Sequence, residues 1–174
     1  AAANIEVFVY MAMNAFYQAT ISFTSQNFGA RKKDRINKIL FAGQVYVVAT
    51  GLILGSLAVF FGKELLGIYS TSPEVIAAGM VRLQYICKVY FLCGIMDVFV
   101  GALRGIGYSI MPMIVSLLGA CGLRLLWLAT VFQIPQYHTQ DIIYLSYPIT
   151  WVITFTVHAL CYIWARKQVE KRLV

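Results

Sequence analysis

Charge is scarce in this chain. Only 12% of its 174 residues are charged, and just seven of them are acidic. A soluble domain carries about 25%, so half that share points to lipid rather than water as the main solvent. Histidine is scarcer still. His138 and His158 lie far apart and form no H-E-x-x-H pattern, and no Walker loop or G-x-S-x-G elbow is present. Gly105-Ile-Gly107 lacks the third glycine and the preceding strand of a nucleotide fingerprint, so it reads as a turn. With no nucleophile and base in view, no enzymatic activity, no metal site and no cofactor are expected. Cys87, Cys93, Cys121 and Cys161 all fall inside apolar runs without metal-ligand spacing, and read as buried free thiols. The start, Ala1-Ala2-Ala3-Asn4-Ile5, has no initiator methionine and no basic n-region. The chain is therefore expected to be a fragment of a longer protein.

What the chain has in quantity is apolar sequence, 60% of all residues, with a mean hydropathy of +0.75. The stretch Ser25–Lys38 organises it. An apolar run stops at Gly29, five basic residues follow, and a second apolar run opens at Ile39. Gly29 can take a positive φ, so it is expected to end a helix. From Ile39 to Phe61 there are twenty-three residues without a charge, or about 34 Å of helix against a hydrocarbon core of about 30 Å. The reading is an all-α membrane protein. The net charge of +7 sits at helix ends and turns, which favours lipid headgroups and argues against nucleic acid.

Five spans are expected, at about 4–29, 39–61, 74–103, 112–132 and 142–166. On the first, Asn14, Gln18 and Ser25 fall within about 40° of one another, and Glu6 lies further round. Such a stripe either bonds neighbouring helices or lines a pathway. Gly51 and Gly55 on the second span permit close helix approach. Gly62–Pro73 is expected to be a turn. The third span carries Arg82, Lys88 and Asp97, and places Asp97 on a face with Tyr90, Gly94 and Gly101, where the glycines leave room for an ion or substrate. Lys88 points the opposite way. The fourth span carries Arg124 near its middle, either paired with Asp97 on the neighbouring helix or capped by carbonyls, and Pro148 is expected to kink the fifth. Glu6 and Asp97 are the two carboxylates inside the apolar spans and the candidates for binding a cation.

Two pieces of sequence carry a family resemblance. Ser25-Gln-Asn-Phe-Gly-Ala30 before a basic stretch, and Gly101-Ala-Leu-Arg-Gly-Ile-Gly107 before Met111-Pro112, resemble the multidrug and toxic compound extrusion transporters. The resemblance covers essentially the whole chain, and implies helices eight to twelve of a twelve-helix, two-lobe antiporter, the partial C-terminal lobe without its first helix. It implies export of amphipathic, cationic small molecules coupled to Na+ or H+, in the cell inner (plasma) membrane, with a missing N-terminal lobe as partner. Asp97 and Glu6 become cation-coupling candidates, and Asn14, Gln18 and Tyr90 substrate-cavity candidates. Arg124 and Lys88 are intramembrane charges. In part of the family the matching acid sits a turn earlier than Asp97, near Cys93 or Gly94. Two other readings stand beside it: a lipid-linked polysaccharide or lipid flippase of the same superfamily, holding a diphosphate on Arg82, Lys88 and Arg124, and a non-transporting helical membrane protein.

Five spans put ten basic residues in the turn after Gly29, the Arg104 turn and the C-terminal stretch from Arg166, against Lys63 alone on the other side. That asymmetry predicts a cytoplasmic C-terminus. Single cysteines at Lys33 and His138, in a cysteine-free full-length protein, test it. An impermeant thiol reagent added to intact cells should label position 138 far more strongly than position 33.

Overall fold

The computed structural model describes residues 1–172, and every regular element in it is helical. Helix α1 is Ala2–Gly29, α2 is Lys33–Phe60, and a short α3, Gly62–Tyr69, follows. Next come α4, Pro73–Ile86, and α5, Phe91–Gly105, then α6, Ile110–Ser116, and α7, Leu123–Ala129. The last helix, α8, is Gln140–Arg172. Three stretches are long and apolar enough to cross a membrane: Lys33–Phe60, Ile110–Gln133 and Gln140–Lys171. The pair Pro73–Val89 and Phe91–Gly105 makes a fourth if taken as one bent span. Helix α1 has 28 residues, long enough to cross, but its polar stripe dilutes its hydropathy.

Several local expectations change. The stretch after Gly62 is not an open turn but helix α3, which seats Leu66 under Gly79 of α4. Helix α1 does end at Gly29, yet the residue with positive φ is Arg31, at 55°. The Arg31 amide bonds the Phe28 carbonyl and the Lys32 amide bonds that of Asn27, the two crossed bonds that close a helix through a left-handed residue. A glycine would fill that position more cheaply. Gly107, at φ 95°, supplies the same conformation after α5, where Gly107 and Tyr108 bond Arg104 and Leu103. Helix α2 begins six residues ahead of its apolar run, because Ile36 is buried there and draws the basic stretch into the helix. Helix α8 likewise passes Arg166, with Ala165 and Val169 buried, and runs on through Pro148.

The expected helix 74–103 is broken. Residues Cys87–Val89 form a 3-10 turn, and the helices on either side are bent by 44°. Neither proline nor glycine lies within the break. Gly55 of α2 sits directly against the Cys87 carbonyl, and Gly51 against the backbone of Phe91. The G-x-x-x-G pair thus holds α2 against both edges of the break. The stretch 110–133 is also irregular, with a π-helical segment at Leu117–Gly122 where Gly119 receives Thr154 of α8.

A methyl group at Gly55 would overlap the Cys87 carbonyl, and backbone cannot rotate away as a side chain can. Gly55→Ala should therefore destabilise the protein by about 1–3 kcal/mol, seen as a lower thermal midpoint of the purified protein in detergent. Gly67→Ala, in α3 with nothing near it, should leave the midpoint unchanged or raise it slightly.

Candidate intramembrane charge and aromatic site

The break in the third span presents Tyr90 to its neighbours. Its ring stacks on Trp151 of α8 at 5.4 Å between centroids and lies 6.4 Å from the ring of Tyr10 on α1. Trp151 meets Tyr147, one turn earlier on α8, edge to face at 5.7 Å. The Arg124 guanidinium of α7 lies 3.8 Å above the Tyr147 ring centroid. Residues four apart on α8 share a face, so the fold lays Tyr10, Tyr90, Trp151 and Tyr147 in one row from α1 to α7.

Asp97 stands beside one end of that row. It is half-buried, and its Oδ2 is buried without a hydrogen-bond partner among the described residues. The Tyr10 hydroxyl lies next to the carboxyl, and Asn14 donates its Nδ2 to that hydroxyl at 3.3 Å. Arg104, two turns further along α5, is the nearby cation, although its guanidinium bonds the Tyr17 hydroxyl. The room expected beside Gly94 and Gly101 is not open. Gly94 is covered by Val47 and Met13, and Gly101 by Tyr17 and Thr20. Those glycines admit α1 and α2 to close contact.

The Asp97–Arg124 pair does not form, since no nitrogen of Arg124 comes within 4 Å of a carboxylate among the described residues. An arginine at mid-span costs at least about 2.5–3.5 kcal/mol and must be held somehow. Here Nη2 donates to the Thr150 hydroxyl at 3.2 Å and the plane rests on Tyr147, a cation–π seat.

Glu6, the other cation-coupling candidate, already has a partner. It is 6% exposed, and Arg82 of α4 donates Nε to Oε1 at 2.7 Å and Nη2 to Oε2 at 2.9 Å. This bidentate pair was not foreseen: Glu6 lies about one turn and Arg82 about two and a half turns into their helices, so only the packing of α4 against α1 brings them together. Of the other candidates, Asn14 is half-buried at the row, Gln18 is exposed away from it, and Lys88 is exposed in the 3-10 turn.

Also unforeseen is a polar seam on α8. Ser146, Thr150, Thr154 and His158 recur every fourth residue and are buried, each bonding a carbonyl of its own helix. Repetition at four residues was legible in the sequence and marks a helix face. Toward the C-terminus, Tyr162 and Arg166 share the Asn37 Oδ1 as acceptor, and Arg166 also reaches the Lys33 carbonyl and Glu170. The end of α8 and the start of α2 therefore lie at the same end of the bundle.

With that geometry in place, similarity to known proteins is informative. The family model described as MatE matches residues 1–130. A probable multidrug resistance protein NorM of Aromatoleum aromaticum is 29% identical over 131 residues, which make up 73% of this chain and 28% of that protein. The crystal structure of the Vibrio cholerae MATE transporter VcmN in the bent form matches with a TM-score of 0.83 and 17% identity. That match covers 97% of this chain and 38% of the other. At such identity the likeness is one of fold. The chain spans well under half the length of either protein.

The Glu6–Arg82 pair ties α4, the first half of the broken span, to α1. Removing one partner strands the other in a low-dielectric setting. With Arg82 about a third exposed, Glu6→Gln should destabilise the protein by about 2–3 kcal/mol. Pairing it with Arg82→Gln should recover much of that loss in a double-mutant cycle of thermal stability.

Proposed function

Because this chain belongs to the MatE family, the multidrug and toxic compound extrusion transporters, we propose that it forms most of the C-terminal lobe of a twelve-helix multidrug antiporter. On this reading the whole protein exports amphipathic, cationic compounds against an inward flow of Na+ or H+. Helix α1, the second helix, the bent pair, the π-containing span and α8 are its five crossings. The protein lies in the cell inner membrane with the C-terminus cytoplasmic, as the ten-to-one basic asymmetry favours.

The observation that carries the proposal is Asp97, an intramembrane carboxylate with an unpartnered oxygen beside the aromatic row. Such a group is costly to bury charged. In the proposed cycle it is neutralised by the coupling cation in one state and faces the drug's positive charge in the other. Tyr10 and Asn14 adjust their hydrogen bonds to each occupant. A gradient that favours one occupant then biases two conformations without new chemistry. Tyr10, Tyr90 and Tyr147, which are only partly buried, offer aromatic surface against which a ring system packs. Glu6 is the weaker candidate, because Arg82 already neutralises it. That pair also removes Arg82 from the basic cluster a diphosphate would need, so the flippase reading gains no support.

Asp97→Asn keeps shape and size while removing the charge. In the full-length protein, at matched level in vesicles, gradient-driven efflux should fall to background while folding and insertion stay intact. Wild-type efflux from that variant would place the coupling site outside this chain.

A further inference from the structure

Three buried or half-buried arginines of this chain are held in very different ways. Arg82 has both oxygens of Glu6. Arg166 has the Asn37 side chain, the Lys33 carbonyl and Glu170. Arg124 has one neutral hydroxyl, that of Thr150, and its Nε is buried without a partner among the described residues. The Thr150 hydroxyl donates its own proton to the Tyr147 carbonyl, so it serves Arg124 only as an acceptor. Tyr147 covers one face of the guanidinium and offers its edge no oxygen. What remains is a planar fork of donors, oriented by an aromatic seat, with no anion of the described residues in its grasp. That fork is shaped for a carboxylate.

Arg124 also has a counterpart at a distance. Asp97 lies beside Tyr10 and Arg124 rests on Tyr147, and the two do not pair with each other. A negative and a positive group thus stand toward the two ends of the row of Tyr10, Tyr90, Trp151 and Tyr147. We infer that Arg124 on its Tyr147 seat is an anion-binding subsite, which takes the carboxylate of an aromatic zwitterion lying along that row with its cationic end toward Asp97. The inference rests on the transport reading above and narrows its substrates, since a plain cation would leave Arg124 unanswered.

A matched pair of dyes tests it. Rhodamine 6G is an ethyl ester and a permanent cation, and rhodamine 19 is the same dye with a free carboxylate. Binding of each to the purified full-length transporter is read by fluorescence anisotropy, and export is read in everted vesicles. Arg124→Gln should weaken binding of the acid about tenfold or more while the ester changes less than about twofold. Arg124→Lys, which keeps a point charge without the fork, should fall between for the acid and leave the ester unchanged. If Arg124→Gln fails to fold, a selective severalfold loss for the acid in Arg124→Lys supports the subsite in its place. Equal losses for both dyes would make Arg124 a purely structural group and overturn the inference, as would unchanged binding of the acid. Wild-type export of the ester without any binding of the acid would sink the subsite and leave the transporter reading standing. Binding of the acid through Arg124 without export of either dye would do the reverse.

Discussion

Hydrocarbon offers a polar group no partner, so each one inside a membrane must find its partner within the protein. Much of this structure follows from that constraint. The hydroxyls of Ser146, Thr150 and Thr154 turn back onto carbonyls of α8, and His158 does the same while its other ring nitrogen faces the Pro112 carbonyl. Glu6 and Arg82 neutralise each other. Beyond these pairings, the unsatisfied side-chain atoms among the described residues reduce to a short set, and Asp97 Oδ2 and Arg124 Nε are in it. Both belong to the same patch of α5, α7 and α8.

Small residues make that patch possible. Gly51 and Gly55 let α2 lie against the bent span, Gly94 and Gly101 admit α1 and α2, and Gly119 admits Thr154. The bundle is therefore tight where its glycines fall. The aromatic row with its two charges sits where large side chains meet instead. Glycines that look like space in a sequence are filled by the neighbouring helix in the fold.

The all-helical class was legible in the sequence, because runs without charge and clusters of lysine and arginine are local signals. The Gly51 and Gly55 contact was legible for the same reason. The break at Cys87 was not, since no proline marks it and its neighbour Gly55 is thirty-two residues away. Nor was the Glu6–Arg82 pair, which needs two helices at the same depth and azimuth. Asp97 and Tyr90 stood out as single residues. The row that joins them to Arg124 depends on Trp151 and Tyr147, whose spacing of four is common in any apolar helix. Side-chain partnership between distant helices is a property of packing, and one strand of sequence carries little of it.

The π-helical segment at Leu117–Gly122 lies between Ser116, which meets His158, and Arg124, which meets Tyr147. A π turn accommodates one more residue than an α turn, so everything after it is rotated by about 100° relative to a regular helix. The direction in which Arg124 points thus depends on that one wide turn. Losing any one residue of that segment would restore the ordinary helical register and swing the guanidinium off its ring, with no change to a single side chain of the site.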